Sequence, residues 1–458
     1  MGNLQRVGRA RHAQSLQHAR RGFVRGPAAL RNAAMITLIA NANVFDGSGS
    51  PRRNADVLIE GNRIVHIADH IARPEGSNVH IIDAGGATLM PGLVDGHTHL
   101  GLGSTIEHRS SRTEPEEEQA LIISHNARVM LDHGYTSIYS GGNRRPRVEV
   151  ALRKATREGW MPGPRLRAAS WEVSADTMKS PSATLKPKSI EGHIGANERA
   201  PITDQVRKFV HDMADVGVDI VKMPITGESA LIEYTSCILE FKEEEVAAAG
   251  EAARERGLWL TAHAHSPEGI QMAIRHGFRA IYHATYMDDD SIAMAANAKD
   301  PIFIAPSPGS LWMMGNMDKP ATPGMEVDAA TASIREVVPK LVKAGIRVVP
   351  GSDYGFGFNP IGLNAKDLEL FVEWFGMTPS ESLRCATEYG GQLMGMGDEL
   401  GLVREGYLAD LLLVDGDPTT DITILQNPER LSMIMKDGNL YKLACHRGID
   451  RATIPPSV

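Results

Sequence analysis

The chain contains the stretch Met90-Pro91-Gly92-Leu93-Val94-Asp95-Gly96-His97-Thr98-His99. A Pro-Gly turn precedes an apolar run, and the run ends in two histidines separated by one residue. Side chains two positions apart on a strand project to the same side, so His97 and His99 are predicted to point together from one strand end. Two imidazoles held in this way form half of a site for a divalent metal. Two solvent-facing histidines are the alternative for an isolated pair of this spacing.

Size and composition indicate a large globular protein. The 458 residues suffice for a large domain and a smaller one. The formal net charge of −8 gives no sign of a nucleic-acid partner or an anionic membrane surface. The chain lacks the run of about eighteen apolar residues that a transmembrane helix needs. Its 3 cysteines show no paired spacing, which favours a reducing, cytoplasmic compartment.

Both ends of the chain differ in composition from the rest. Residues 1–35 are rich in arginine and contain no acidic residue, which is typical of a transit peptide. We favour the alternative, a disordered or non-native arm before a start at Met35, because the strand pattern begins directly after that residue. Residues 447–458 are polar and contain proline, so a loose tail is expected.

Short β-rich segments flank the central part of the chain. Residues 36–90 contain several, two of them joined by Gly61-Asn62, which is a hairpin signal. Residues 400–446 return to the same pattern. Because the ends of a domain usually lie close together, the two segments are predicted to form one small β-sandwich.

Residues 91–399 alternate apolar strands with amphipathic helices. The strand candidates are Leu93–His99, Thr136–Ser140, Arg165–Ser170, Asp219–Met223, Trp259–Ala264, Ala280–Ala284, Phe303–Ser307 and Arg347–Asp353. This alternation predicts an α/β fold, a (β/α)8 TIM-like barrel. A doubly wound open sheet is the alternative, but it would not bring the first and last strands together.

Ionisable side chains follow the strands of the predicted barrel, where such barrels place their active sites. They are His97, His99, Lys222, His263, His283 and Asp353. The four imidazoles are suitable ligands for two divalent cations. Asp353 is predicted to bind one metal and, as the catalytic base, to accept a proton from a bridging water. His265 either binds substrate, supports a ligand, or replaces His263 as the ligand.

Lys222 is an unexpected residue in a site for cations. Burial between apolar neighbours lowers the pKa of a lysine and exposes a neutral, nucleophilic amine. Such an amine captures carbon dioxide, and the two oxygens of the resulting carbamate would bridge the metals. A barrel lysine whose ammonium reaches solvent is the alternative.

Loops after the strands are candidates for substrate contacts. The long segment 171–201 follows the third strand and is typical of a lid. A second segment, Pro306–Met314, contains Trp312 and two methionines, which suggests an apolar substrate wall. Packing of this segment on a neighbouring subunit is the alternative. Tyr234 and His265 complete the candidate substrate-binding residues for a small-molecule substrate, and we expect a homo-oligomer.

The combined motifs resemble the amidohydrolase superfamily. They are Met90–His99, Val221-Lys222, Ala262-His263, Tyr282-His283, Gly351-Ser352-Asp353 and Gly406–Leu411. The lysine makes the chain similar to the carbamylated-lysine, binuclear branch, and within it to prolidase-like and imidazolonepropionase-related members. The resemblance extends over residues 36 to 440. It implies two divalent metals, with zinc expected and manganese, cobalt or iron as alternatives.

The predicted function is hydrolysis of an amide C–N bond by a metal-bridged hydroxide. The expected substrates are peptide-like or N-acyl compounds with an apolar or aromatic part, such as an ochratoxin-like amide, so that the enzyme is of amidase or carboxypeptidase type. Urea or carbamate xenobiotics are the first alternative, and phosphotriesters would use the same site. A non-catalytic scaffold is the alternative from another class, but such relatives lack the metal ligands that are all present here.

Overall fold

The computed structural model describes residues 35–103, 115–171, 201–227, 238–317 and 327–444. The arm before Met35, the tail after residue 446, Tyr234 and nearly all of the expected lid lie outside the described residues. The predicted domain boundaries remain predictions. Within the described ranges, no helix combines the length and apolar character needed to cross a membrane.

The N-terminal strands form part of a mixed sheet. They are β1 (Ile36–Val44), β2 (Arg53–Glu60), β3 (Arg63–Ala68), β4 (Val79–Asp83) and β5 (Thr88–Pro91). β2 and β3 pair in antiparallel fashion around Gly61, which adopts the left-handed φ of 59° that a tight turn requires. The hairpin predicted at Gly61-Asn62 is therefore present.

Eight parallel strands follow, arranged in two sheets. They are β6 (Leu93–Thr98), β7 (Tyr135–Ser140), β8 (Arg165–Arg167), β9 (Ile220–Pro224), β10 (Trp259–Ala264), β11 (Ala280–His283), β12 (Phe303–Ala305) and β13 (Arg347–Val348). The first three form one sheet, and β9 to β13 form the other in sequence order. β6 and β7 are buried along their whole length, as expected for parallel strands covered on both faces.

The edges of the two parallel sheets lie next to each other. Ala169, just after β8, forms an isolated parallel bridge with Ile220 of β9. Thr98 of β6 forms another with Tyr354, which follows β13. In addition, the backbone N–H of Asp353 donates to the carbonyl of His97 at 3.0 Å. The ends of the first and last parallel strands are therefore neighbours.

Helices connect the parallel strands. They are α1 (Glu116–Asp132), α2 (Pro146–Arg157), α3 (Ile202–Val216), α4 (Glu243–Arg256), α5 (Pro267–Arg275), α6 (Asp289–Ala296), α7 (Pro308–Gly315) and α8 (Val327–Lys343). α7 corrects the prediction of a loop at Pro306–Met314. Its first residue, Pro308, has the fixed φ that suits the start of a helix, and proline there removes no hydrogen bond.

Three more α-helices follow β13 in the described part of the chain, and they were not predicted from the sequence. They are α9 (Lys366–Phe375), α10 (Pro379–Ala386) and α11 (Glu388–Leu393). The start of α10 carries a capping box, in which Thr378 and Glu381 each bind the other's backbone N–H. That signal was available in the sequence.

The C-terminal strands β14 (Leu411–Val414), β15 (Leu431–Lys436) and β16 (Asn439–Leu443) complete the mixed sheet. β14 pairs antiparallel with β5, with Leu412 opposite Met90. In the described part of the chain, the strands from the two ends therefore belong to one continuous eight-stranded sheet. The folding of this sheet into a small β-sandwich stays a prediction. Only Gly92 separates β5 from β6, and its N–H donates to the carbonyl of Asp410 at 2.8 Å. The sheet thus anchors the strand that carries His97 and His99.

Candidate metal centre and active site

His97, His99 and Asp353 lie in direct contact at the adjoining ends of β6 and β13. Oδ1 of Asp353 is 3.1 Å from Nε2 of His97 and 2.8 Å from Nε2 of His99. Asp353 has a left-handed φ of 59°, an unfavourable conformation for a residue with a side chain. Such strain is often found at functional sites, where the surrounding structure imposes it.

His99 is oriented so that its Nε2 faces Oδ1 of Asp353, and in the neutral imidazole both atoms are hydrogen-bond acceptors. Its Nδ1 lies 2.9 Å from the carbonyl oxygen of Gly142, which can only accept a hydrogen bond. In the neutral imidazole, Nε2 then presents a lone pair to the carboxylate of Asp353. A cation shared by the two atoms would satisfy both of them. Metal-binding histidines commonly donate their second N–H to a carbonyl in this way.

Three further histidines form a cluster at the ends of β10 and β11. The ring centroids of His263 and His283 are 4.5 Å apart, and those of His265 and His283 are 4.7 Å apart. Nitrogens of these three residues lie within 4.8 Å of one another, and a second such group consists of His97, His283 and Asp353. His283 belongs to both groups, so the structure contains two adjacent sets of metal-ligating atoms.

The donor atoms of this cluster are suitable for divalent metals. The Nε2 atoms of His265 and His283 are buried and have no hydrogen-bond partner among the described residues. Burial lowers the pKa of His97 to about 3 and that of His265 and His283 well below the usual range, which keeps these imidazoles neutral. Burial also opposes ionisation of Asp353, but His97 and His99 outweigh it and hold that pKa well below its usual range. Neutral nitrogens and a carboxylate are the ligand forms that such metals require.

Lys222 lies on β9, and its side chain reaches the histidine cluster. Its side chain is only 2% exposed, and Nζ is 3.4 Å from Nε2 of His97. Nζ also lies 4.7 Å from the centroid of the Tyr282 ring, which stacks on His97 at 3.5 Å. No role was predicted for Tyr282 from the sequence, and in a regular strand it would point to the face opposite His283. The left-handed φ of 72° at His283 ends that alternation, so both residues reach His97.

Glycine at position 141 allows the histidines to pack against the end of β7. A Cβ atom there would lie 2.8 Å from both Cδ2 of His97 and Nε2 of His99, closer than real contacts allow. The next residue, Gly142, provides the carbonyl that orients His99. The Gly141-Gly142 pair after a predicted strand is a sequence signal for this close approach.

Aromatic side chains beside the cluster come from the segment after Asp353. The ring of Phe356 lies 5.8 Å from that of His99, edge to face, and Phe358 stacks on Phe356 at 5.5 Å. Both rings are half-buried. Trp312 on α7, the predicted substrate wall, has Nζ of Lys366 4.7 Å from its ring centroid. Its role in substrate binding, like those of His265 and Tyr234, stays a prediction.

The fold and the cluster define an α/β protein with a candidate metal centre at the ends of its parallel strands. The model of the amidohydrolase family matches residues 88–441, so the chain belongs to the amidohydrolase family. The superfamily predicted from the sequence is confirmed. Membership implies a hydrolase with an α/β fold of TIM-barrel type and a separate sheet domain, in a family that generally uses divalent metals.

Individual relatives match over most of the chain. Ochratoxinase of Aspergillus niger is 25% identical over 431 residues, which cover 89% of this chain and 87% of the relative. Imidazolonepropionase of Alkaliphilus metalliredigens is 26% identical over 444 residues, or 89% and 97% of the two chains. The crystal structure of a Xaa-Pro dipeptidase with bound methionine in the active site has a TM-score of 0.76 and 26% identity, covering 89% of this chain and all of the other.

Proposed function

We propose that this protein is a two-metal hydrolase that cleaves an amide C–N bond in peptide-like or N-acyl substrates. The observation that carries the proposal is the pair of ligand groups that share His283, one of which includes Asp353. A single tetrahedral metal needs no more than four ligands, and this cluster contains more. Bound divalent ions would supply Lewis-acid polarisation of the substrate carbonyl and a more acidic water.

The proposed ligands are His97, His99, Lys222, His263, His283 and Asp353. We propose zinc as the metal, because it accepts mixed nitrogen and oxygen ligands. For Lys222, a carbamate formed with carbon dioxide would convert a repelling ammonium into a bridging anion. Its position supports this assignment, because Lys222 is only 2% exposed and its Nζ lies 3.4 Å from Nε2 of His97, among the proposed ligands.

Asp353 is the proposed proton carrier. It accepts the proton of the attacking water and donates it to the nitrogen of the leaving amine, so that the amine departs neutral. Its Oδ1 lies 3.1 Å from Nε2 of His97 and 2.8 Å from Nε2 of His99, so the carboxylate is adjacent to two of the proposed metal ligands. Its lowered pKa keeps it in the base form at the start of the reaction.

The architecture of the proposed site requires the parallel strands to surround it. We propose that the two parallel sheets close into a (β/α)8 barrel. The isolated bridges at Ala169–Ile220 and Thr98–Tyr354 support this closure, because they lie at both junctions between the sheets. We also propose a cytoplasmic homo-oligomer. The composition supports the compartment, and Cys385 is a free, buried thiol.

Phe356 and Phe358 indicate the kind of substrate. Two half-buried, stacked rings beside His99 offer an apolar surface next to the site of the chemistry. Two relatives are named for action on ochratoxin and on Xaa-Pro dipeptides, which supports amide-type substrates. We therefore propose substrates with an aromatic or bulky apolar group next to the scissile amide. Urea and carbamate substrates remain the second candidate, since they differ only in the second substituent of the carbonyl.

A panel of N-acyl amino acids, dipeptides and aryl ureas tests this proposal with the metal-loaded protein. We expect hydrolysis of amides, with the highest kcat/KM for aromatic members. Phe356→Ala should lower kcat/KM for aromatic substrates by about 3- to 10-fold more than for their acetyl analogues, because an aromatic pair contributes ~0.5–1.5 kcal/mol.

Trp160→Ala is the matched control, because that indole is 69% exposed and lies after α2. It should change neither value. If Phe356→Ala lowered kcat/KM equally for aromatic and acetyl substrates, Phe356 would not be part of a surface that binds the aromatic group. Turnover of ureas without turnover of amides would favour the second candidate.

A further inference from the structure

A buried carboxylate on α9 binds the segment that carries Asp353. Oδ2 of Asp367 accepts a hydrogen bond from the N–H of Gly351 at 2.8 Å. Its Oδ1 accepts from the hydroxyl of Ser352, from the hydroxyl of Tyr354 at 3.0 Å and from the N–H of Gly309 at 3.2 Å. Three of these four donors lie within two residues of Asp353. Asp367 therefore binds residues on both sides of the proposed catalytic residue, one of them through its backbone N–H and two through side-chain hydroxyls.

The same short segment also binds the end of β6. Nδ2 of Asn364 donates to Oδ2 of Asp95 at 2.8 Å and to Oγ1 of Thr98 at 3.1 Å. Oδ1 of Asp95 in turn accepts from the N–H of His97 at 2.8 Å. Asn364 is 1% exposed and Asp95 is fully buried. One stretch of four residues thus holds both strand ends that meet at the proposed metal centre.

Asp367 is energetically costly for the fold. Its side chain is fully buried, and no ion pair with a lysine, arginine or histidine is found for it in the part of the chain that the structure describes. Burial of an unpaired carboxylate is unfavourable unless hydrogen bonds compensate it. The burial raises the pKa of Asp367 to about 7. All four compensating donors come from the Asp353 segment and the start of α7. An apolar residue at position 367 would remove the acceptor of the Gly351 N–H and of the Ser352 and Tyr354 hydroxyls, whereas the N–H of Gly309 also donates to Oγ of Ser352 at 2.8 Å.

We propose that Asn364 and Asp367 are positioning residues that hold Asp353 at the correct distance from His97 and His99. Asp367 fixes the left-handed backbone of the Asp353 segment, and Asn364 fixes the β6 end through Asp95. Neither side chain touches the substrate. The inference rests on the proposed role of Asp353 in the metal centre.

Asp367→Asn tests the proposal, because the amide keeps the shape of the side chain. Its N–H2 group replaces one carboxylate oxygen and so faces N–H or O–H groups that need an acceptor. We expect kcat and metal affinity each to fall by about 10- to 100-fold, the range for residues that support metal ligands, while KM changes less than about 2-fold. Metal affinity is measured by zinc titration of the metal-free protein, so this readout does not depend on activity. Ser352→Ala removes one of the four donors to Asp367, together with an acceptor of the Gly309 N–H, which keeps its bond to Asp367. It should shift both values in the same direction by a smaller factor.

Asp56→Asn is the matched control. Asp56 is 3% exposed and accepts from the N–H groups of Asn41 and Ile71, both at 2.8 Å, in the mixed sheet. Its replacement should lower Tm but leave kcat and zinc affinity unchanged. If Asp367 had a purely structural role, Asp367→Asn would likewise lower Tm and leave kcat and zinc affinity unchanged.

Asn364 is tested by exchange of donor and acceptor. Asn364→Asp places a second carboxylate against Asp95 and should weaken zinc binding and kcat by about 10-fold or more. Adding Asp95→Asn places an amide N–H2 group at position 95 opposite the new carboxylate at position 364, so the 2.8 Å contact again joins one donor and one acceptor. The amide oxygen at position 95 still accepts from the N–H of His97. The double variant should recover most of the loss. Failure to recover, with a folded protein, would contradict a specific pairing.

Asp353→Asn, measured in parallel, separates this inference from the proposed function. An active Asp353→Asn variant would refute the proposed function itself. An inactive Asp353→Asn variant together with wild-type kcat and zinc affinity in Asp367→Asn and Ser352→Ala would refute only the positioning role. If Asp367→Asn does not fold, Ser352→Ala decides: unchanged kcat and zinc affinity would overturn the proposal.

Discussion

Lys222→Ala is expected to lose most of the activity and at least part of the bound metal. The loss should exceed the roughly 10- to 100-fold that removal of a group supporting a metal ligand causes, because the proposed carbamate is itself a ligand. Short carboxylic acids such as formate or acetate should restore part of the activity, since a free carboxylate can occupy the bridging position. The nearly complete burial of Lys222 leaves a defined space for it in the alanine variant.

Lys222→Arg is the matched comparison. Its guanidinium retains a positive charge at all accessible pH values and fills the space, so added acids should not rescue it. Wild-type metal content and turnover in Lys222→Ala would show that the lysine does not bridge metals. The remaining histidines and Asp353 would then have to form a single-metal site.

Asp353→Asn is expected to reduce kcat by about 10²- to 10⁴-fold, the range attributed to a positioned general acid or base. An amide can neither accept the proton of the attacking water nor return it to the leaving amine. The variant should fold, because the amide fills the same volume and the N–H of residue 353 keeps its bond to the carbonyl of His97. Steady-state kinetics with the best substrate of the panel measure the effect.

Asp288→Asn is the control for an Asp-to-Asn change outside the cluster. Asp288 caps α6 by accepting from the N–H of Ser291 at 2.8 Å, and asparagine caps helices equally well. Its kcat and Tm should therefore match those of the wild type. Full turnover by Asp353→Asn would remove the proton-transfer role assigned to Asp353.

The features that could be predicted from the sequence are those with a regular spacing of apolar or functional residues along one strand or helix. Strand alternation placed His97 and His99 together, and apolar runs located the eight parallel strands, although the last one ends at Val348 and not at the predicted Asp353. The approach of β6 to the end of β13 followed from the expected architecture, and the contacts of His97 and His99 with Asp353 agree with it. These inferences need only the spacing of residues along each element.

The features that sequence did not reveal depend on contacts between distant segments or on unusual backbone conformations. Tyr282 reaches His97 because His283 adopts a positive φ, which no periodic pattern indicates. Asn364 and Asp367 belong to no motif in the sequence, and only their burial against β6 and the Asp353 segment indicates a role. α7 was taken for a loop because its proline and glycine are turn residues as well as helix-start residues.

The metal content of the protein tests the central claim most directly. Protein produced with zinc and bicarbonate, freed of loosely bound metal, would be measured by elemental analysis alongside its activity. The two ligand groups that share His283 predict about two metal ions per chain, with loss of activity on chelation and recovery on return of the metal. A firm single equivalent with full activity, or full activity after complete metal removal, would contradict the account.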